Sequence, residues 1–177
     1  MTILVLSDTH GMTDRVQEVL SRHTRSDALL FLGDGIRDLP DEVYSHPTRL
    51  FGGVRGNCDF FSPSHAKYSF SDELLLNVDA YTVMMMHGHR HSVKSGTDAA
   101  IRYAASRGAD ILLYGHTHIP EERYLPEGSE IGGIRLKKPL HVFNPGSLGY
   151  PPDGVPSFGV IEIRNGRLLF SHGTLTR

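Results

Sequence analysis

Short apolar runs alternate with polar, glycine-containing segments along the first third of the chain. The runs predict buried strands at Thr2–Leu6, Ala28–Leu32 and Arg49–Val54. Apolar residues recur at helical spacing from Val16 to His23, which predicts a helix capped by Thr13 or Asp14. This order of strand, polar loop and helix predicts a parallel α/β sheet whose loops gather at the carboxyl ends of its strands.

The rest of the chain favours short strands and two further helices. A short helix is predicted around Asp38–Tyr44, and a longer one over Thr97–Arg107, with Thr97 as its cap and Gly108 as its end. The predicted strands are Tyr68–Phe70, Leu74–Val78, Tyr81–Met86, Ile111–Tyr114, Glu122–Leu125, Ile134–Leu136, Leu140–Phe143, Phe158–Ile163 and Leu168–Ser171.

Turn residues indicate which of these strands pair as neighbours. Asp79-Ala80 predicts antiparallel pairing of the two strands beside it, and Asn165-Gly166 predicts the last hairpin. Pro126-Glu127-Gly128 predicts a hairpin or flap between 122–125 and 134–136. Without repeats or linkers, the chain is expected to form one domain over residues 1–177. Its architecture is a mixed sheet, or two packed sheets, with helices outside.

The composition of the 177 residues is that of an ordinary globular protein, with 39% hydrophobic and 21% charged residues. A formal charge of −2 provides no basic surface for stable nucleic-acid binding, and no polybasic or long apolar run indicates membrane binding. The single cysteine, Cys58, cannot form an internal disulfide, and the N-terminus lacks a signal-peptide pattern, so we expect a cytoplasmic protein. The eleven histidines are the unusual feature.

Side chains that commonly bind metals follow five of the predicted strands. They are Asp8, His10, Asp34, Asn57, His87, His116 and His118. Each has an ordinary alternative as a helix cap, a turn former or a core histidine. Together they exceed the ligands of one tetrahedral zinc and suit two metals of borderline hardness that share a carboxylate.

The ordered motifs Asp8-x-His10, Gly33-Asp34, Gly56-Asn57-x-Asp59, His87-Gly88 and Gly115-His116-x-His118 resemble the calcineurin-like metallophosphoesterase superfamily. Gly-Asn-Cys-Asp at 56–59 and Asn-Pro-Gly-Ser at 144–147 are similar to its small YfcE-like phosphodiesterase branch. The resemblance covers nearly the whole chain. It implies an α/β fold of four layers, an α/β/β/α sandwich of two mixed sheets flanked by helices.

The resemblance also implies how the ligands divide between two divalent ions. Asp8, His10 and His118 would hold the first ion, whereas Asn57, His87 and His116 would hold the second, with Asp34 between them. We expect Mn²⁺, with Ni²⁺, Zn²⁺ or Fe as alternatives, because such ligands accept several ions. The implied reaction is hydrolysis of a phosphodiester by a hydroxide that bridges both ions.

The expected catalytic residues are Asn57, Cys58, Asp59 and His89, and the expected substrate contacts are Asn57, His89 and Ser147. Asp59 matches an acid that orients a neighbouring ligand. Many relatives have a histidine where this chain has Cys58, and a thiol is a poor replacement acid, so phosphodiesters with good leaving groups are the favoured substrates. We expect a small, buried, hydrophobic role for Cys58, while His89 is the candidate to replace the missing acid.

Two other functions remain open. The first is a scaffold that binds proteins through the same fold, as a retromer subunit does, and the second is a phosphomonoesterase or protein phosphatase. Retention of all seven ligand positions favours an enzyme, while the cysteine at position 58 and the short chain argue against a monoesterase. Edge strands in the second half allow a homo-oligomer, either a dimer or a tetramer.

Overall fold

The computed structural model describes residues 1–59 and 70–176. Its helices are α1 (Thr13–Arg22) and α2 (Asp98–Ser106). Its strands are β1 (Thr2–Leu6), β2 (Ala28–Phe31), β3 (Leu50–Gly53), β4 (Glu73–Val78), β5 (Tyr81–Met86), β6 (Ile111–Tyr114), β7 (Glu121–Leu125), β8 (Glu130–Ile131), β9 (Ile134–Arg135), β10 (Leu140–Asn144), β11 (Ser157–Arg164) and β12 (Arg167–Thr174). Within these ranges no helix is long and apolar enough to cross a bilayer.

The strands form two five-stranded mixed sheets. Sheet I has the order β12-β11-β1-β2-β3, with β1, β2 and β3 parallel and β11 and β12 antiparallel. Sheet II has the order β4-β5-β6-β10-β7, in which β5, β6 and β10 are parallel and the edge strands β4 and β7 are antiparallel. Each sheet therefore has a parallel centre whose strands end at the same edge.

Alternation along the strands places the two sheets face to face and one helix on each outer face. In β1, Val5 lies in the core between the sheets, whereas Leu4 packs with α1 residues. In β5, Met85 lies in the core between the sheets, whereas Met84 packs with α2 residues. Since successive side chains point to opposite faces of a sheet, the apolar runs fill two layers at once. The predicted four-layer α/β/β/α sandwich is confirmed.

The helix predicted around Asp38–Tyr44 does not form as one continuous helix. The structure has 3-10 turns at Ile36–Asp38 and Asp41–Val43 instead. Between them Leu39 is extended, with φ −78° and ψ 126°. Leu39 precedes Pro40, and the proline ring excludes the helical conformation from the residue before it.

The predicted cap of the first helix is wrong, and that of the second is confirmed in position only. Met12 occupies the N-cap position of α1, so Thr13 and Asp14 are already helical. Thr97 occupies the N-cap position of α2, but its side chain makes no capping hydrogen bond. Its hydroxyl instead accepts a hydrogen bond of 2.6 Å from Arg123 Nη2. A tertiary contact has replaced the local one.

The hairpin predicted across Pro126-Glu127-Gly128 does not form between the expected strands. β7 pairs antiparallel with β10, placing Leu125 opposite Leu140, and both side chains are buried. β8 and β9 form a separate small hairpin. The hairpin at Asn165-Gly166 is confirmed, with φ of 52° and 69° at its two turn residues. Most of the predicted strand Tyr68–Phe70 lies outside the described residues.

Replacing Leu113 by Ala should lower the free energy of unfolding by about 2–5 kcal/mol, because Leu113 is fully buried between the sheets. Leu169→Ala is the matched control, since Leu169 is 53% exposed, and its effect should stay within about 0.5 kcal/mol. Urea unfolding of both variants measures the difference. Equal effects would contradict the assignment of the inter-sheet core.

Candidate metal centre

Metal-type side chains meet where the parallel strands of both sheets end. Backbone hydrogen bonds join the loops that follow those strands. Asp8 N–H donates to the Gly33 carbonyl at 2.9 Å, and His10 N–H donates to the Asp34 carbonyl at 3.1 Å. In sheet II, Gly115 N–H donates to the His87 carbonyl at 3.1 Å. The loops of neighbouring strands are therefore fixed to each other within each sheet.

The backbone is left-handed at most of these ligand positions. Five of the eight non-glycine residues with positive φ in the described ranges are candidate ligands: Asp8 (52°), His10 (45°), Asp34 (58°), His116 (67°) and His118 (63°). Such conformations cost free energy for residues with a Cβ, and they concentrate at functional sites. The strained backbone positions are thus concentrated at the candidate ligands.

Two motif glycines allow close approach to the carboxylates. A Cβ on Gly56 would lie 2.0 Å from Asp34 Oδ1, and a Cβ on Gly115 would lie 2.8 Å from Asp8 Oδ2. Neither contact is sterically permitted for a larger residue. Glycine is thus required at both positions because the backbone of a neighbouring loop packs directly on a carboxylate.

Asp8, His10 and His118 form the first group of candidate ligands. His118 Nε2 lies 3.2 Å from Asp8 Oδ1 and 3.3 Å from His10 Nε2. His118 Nδ1 is 2.9 Å from the Tyr150 carbonyl, a partner to which only a protonated nitrogen can donate. In neutral His118, Nε2 therefore carries a lone pair directed at Asp8.

Asp34, His87 and His116 form the second group. His87 Nε2 lies 3.3 Å from Asp34 Oδ2 and 3.1 Å from His116 Nδ1. His87 Nδ1 lies 2.8 Å from the Leu32 carbonyl, so in the neutral ring Nε2 has the lone pair. Asp34 Oδ2 is also 3.9 Å from His10 Nε2, so this carboxylate borders both groups.

Divalent cations fit this arrangement of lone pairs. Among the described residues, the buried Asp8 Oδ1 has no hydrogen-bond donor, although Asp8 Oδ2 accepts from Ser7 Oγ at 2.5 Å and from His116 N–H at 3.0 Å. Hydrogen bonds thus fix Oδ2 of Asp8, whereas Oδ1 faces the neighbouring imidazoles. Oxygen and nitrogen ligands of this kind suit Mn, Fe, Ni or Zn.

Asp34 and His87 stabilise each other's charged forms. Burial disfavours the charged form of Asp34, yet His87 and the Cys58 N–H outweigh it and hold the pKa of this carboxyl well below its usual range. Burial likewise opposes protonation of His87, but Asp34 and Asp8 raise the pKa of that imidazole. The Asp34 carboxylate is therefore in the form that binds cations.

Asp59 is a positioning residue in this structure. Its Oδ2 accepts from the N–H groups of Asp34 and Gly56, each at 2.7 Å, and its Oδ1 accepts from Gly35 at 2.8 Å and Ile36 at 3.0 Å. The carboxylate thus joins the loop after β2 to the loop after β3. This is the arrangement expected of an acid that orients the neighbouring ligand Asp34.

Asn57 and Cys58 lie on the same loop and are both exposed. The Asn57 amide donates to Cys58 Sγ at 3.2 Å, and Asn57 remains a predicted ligand. The expected buried position of Cys58 is wrong, because the residue is exposed. Its N–H donates to Asp34 Oδ1 at 2.7 Å, and its thiol lies close to Asp34 and His10. Burial and the Asp34 charge raise the pKa of the thiol to about 11.

His89 lies beside the second group, whereas Ser147 is enclosed. The His89 ring centroid is 5.5 Å from that of His87 and 6.2 Å from that of His116. Burial and His87 lower the pKa of His89, so its ring is neutral near pH 7. Ser147 is fully buried and its hydroxyl donates to the Asp8 carbonyl at 2.8 Å. The predicted phosphate contact of Ser147 does not fit this buried position.

Asn144 is a functional neighbour whose role the sequence did not indicate. Its amide nitrogen donates to the Gly115 carbonyl at 3.2 Å and to Thr117 Oγ1 at 3.0 Å, on the loop that carries His116 and His118. Its side-chain oxygen accepts from Gly146 N–H. The Asn-Pro-Gly-Ser motif predicted that this segment lies near the site. It did not predict the direction of the Asn144 side chain.

Comparisons with known proteins agree with this geometry. The model of the calcineurin-like phosphoesterase superfamily domain matches residues 1–166. The probable metallophosphoesterase YsnB of Bacillus subtilis is 32% identical over 93% of this chain and 86% of its own length. Phosphodiesterase YfcE of Escherichia coli is 27% identical over 92% of this chain and 88% of its own length. The chain therefore belongs to the calcineurin-like phosphoesterase superfamily, as the ordered motifs predict.

Solved structures show the same fold. A predicted phosphoesterase from Streptococcus pneumoniae superimposes with a TM-score of 0.73 at 26% identity, covering 98% of this chain and 88% of that one. Vps29 from Entamoeba histolytica superimposes with a TM-score of 0.65 at 23% identity, covering 99% of this chain and 100% of that one. At that identity the second likeness concerns the fold alone.

Asp59→Asn should weaken metal binding about 10–100-fold, the usual effect of losing a residue that orients a ligand. It should also lower the free energy of unfolding by about 2 kcal/mol, because the new NH₂ group would face two backbone N–H donors. Metal titration and urea unfolding measure the two effects.

Asp153→Asn is the control, since Asp153 accepts a single exposed hydrogen bond, from Val155 N–H. Metal affinity unchanged in Asp59→Asn would refute the positioning role of this carboxylate.

Proposed function

We propose that this protein is a metal-dependent phosphodiesterase. The observation that supports the proposal most directly is the overlap of two ligand groups at Asp34. Asp34 lies in the group with His87 and His116, and also in a group with His10 and Cys58. A carboxylate with neighbours on both sides is suited to lie between two cations, which is the arrangement used for phosphoryl hydrolysis.

The proposed ligands of the first cation are Asp8, His10 and His118, and those of the second are Asn57, His87 and His116, with Asp34 shared. When bound, two divalent ions, for which Mn²⁺ is our expectation, would supply Lewis-acid activation of water and of the phosphoryl group. Imidazole and amide ligands are neutral, so only two carboxylates oppose the charge of the ions. The site would keep a net positive charge and attract an anionic ester.

Diesters with good leaving groups are the proposed substrates. A leaving group of low pKa departs without a proton donor, whereas an alkoxide needs one. The Cys58 thiol, with its pKa raised to about 11, is a poor donor at neutral pH. His89 has a lowered pKa and a buried Nδ1 without a hydrogen-bond partner in the described residues. It is proposed to contact the substrate rather than to protonate it near pH 7.

A scaffold that binds proteins is the second candidate, because Vps29 shares the fold. The ligand set argues against it. A scaffold has no need for left-handed backbone at five ligand positions, nor for an Asp8 oxygen left without a donor in the described part of the chain. Such features cost stability and are retained where a bound group offsets them.

Hydrolysis of bis-p-nitrophenyl phosphate and p-nitrophenyl phosphate tests the proposal. With added Mn²⁺ the diester should turn over faster than the monoester, and EDTA should abolish both activities because the site would lose its cations. Absence of metal-dependent turnover of either ester would reject the enzyme. A faster reaction with the monoester would reject only the preference for diesters.

Asn57→Ala and His87→Ala should each lose one metal ion per chain, because both residues are assigned to the second cation. Elemental analysis after dialysis measures the stoichiometry. His46→Ala serves as the control, since His46 is exposed and, among the described residues, accepts hydrogen bonds only from neighbouring backbone N–H groups. Unchanged stoichiometry in both site variants would refute the ligand assignment.

A further inference from the structure

Two arginines at the rim of the candidate metal centre share one carboxylate. Arg55 donates to Asp72 through Nε at 2.5 Å and through Nη2 at 3.2 Å. Arg90 Nη2 lies 2.8 Å from Asp72 Oδ2. The Arg55 and Arg90 side chains are 47% and 61% exposed, so both are accessible to solvent. We refer to these three residues as the Arg55–Asp72–Arg90 cluster.

The cluster adjoins the second ligand group on two sides. The Arg55 backbone packs on the loop of Asp34, since a Cβ on Gly33 would lie 2.8 Å from the Arg55 carbonyl carbon. Arg90 directly follows His89, whose ring is close to the rings of His87 and His116. Asp72 and Arg90 both act electrostatically on His89. The cluster thus joins the loop after β3 to the loop after β5, beside the second ligand group.

The cluster carries an excess positive charge that other described residues do not balance. Two guanidinium groups share the single charge of Asp72, which leaves one positive charge. The next acid along the chain, Glu73, is bonded to His91 at 2.6 Å and to Tyr103. Asp59 is occupied by four backbone N–H groups. No other carboxylate within residues 1–59 and 70–176 forms an ion pair with either arginine.

We propose that the Arg55–Asp72–Arg90 cluster is a second anion site, which binds a further phosphate carried by the phosphodiester substrate. The inference rests on the proposed function, and it narrows the substrate class to diesters with a second phosphate beside the scissile one. Asp72 holds both planar guanidinium groups in place, and their free N–H donors match phosphate oxygens. The scissile diester lies at the metal centre, while the second phosphate lies on the cluster.

The test uses bis-p-nitrophenyl phosphate hydrolysis as the reporter and two dinucleotides as competitors. The thymidine dinucleotides TpT and pTpT have the same nucleosides and the same diester, and only pTpT has a terminal 5′-phosphate. With the Mn²⁺-loaded protein, the inhibition constant of pTpT should be about tenfold lower than that of TpT, because charge-assisted hydrogen bonds are the strong ones. A change in metal loading affects both inhibition constants equally, so it does not alter their ratio.

In the double variant Arg55→Gln/Arg90→Gln, the two inhibition constants should agree within about twofold. Arg55→Lys/Arg90→Lys should keep part of the preference, because it retains both charges. Arg164→Gln should leave the ratio unchanged. Arg164 is an exposed arginine paired with Glu162 at the opposite end of sheet I. Thermal unfolding of each variant verifies that it is folded.

A wild-type ratio near one overturns the inference, and so does a tenfold ratio that persists in the glutamine double variant. The second result would mean that the metal centre alone attracts the terminal phosphate. Absence of metal-dependent reporter hydrolysis counts instead against the proposed function, so the two failures are distinguishable.

Discussion

Lone pairs that face one another at the rim of the two sheets set the main constraint on this structure. Asp8 Oδ1 faces His118 Nε2 at 3.2 Å, and Asp34 Oδ2 faces His87 Nε2 at 3.3 Å. The other nitrogen of each imidazole is directed at a backbone carbonyl, so in the neutral ring the facing nitrogen has no proton to donate. These contacts are unfavourable unless a proton or a cation lies between the atoms. The surrounding residues hold them in place.

Several parts of the fold hold these side chains in place. The central parallel strands bring their carboxyl ends to one edge in each sheet, and the inter-sheet core brings the two edges together. Asp59 fixes the loop of Asp34 through three hydrogen bonds, while Asn144 fixes the loop of His116 and His118. These supports reach the ligands through the backbone. The ligand geometry therefore depends on residues that need never contact the substrate.

The sequence predicted the features that arise from short-range pattern. The candidate ligands at the strand ends could be predicted because a buried strand and the polar residues after it are adjacent in the chain, as at Asp8 and His116. The four-layer fold could be predicted from the resemblance to the metallophosphoesterase superfamily, and it agrees with the apolar runs. The pairing of β7 with β10 could not be predicted from the sequence, because it depends on the burial of Leu125 against Leu140 in the assembled sheet. The directions of the Ser147 and Cys58 side chains could not be predicted either, since they depend on contacts with Asp8 and Asp34.

We propose that this edge of the two sheets holds two cations around a shared Asp34. Anomalous diffraction from crystals grown with Mn²⁺ tests it most directly, because the ions are located without reference to activity. The account predicts two anomalous peaks per chain, one contacting Asp8, His10 and His118 and the other contacting His87 and His116, with Asp34 touching both. A single peak, or peaks away from Asp34, would contradict it.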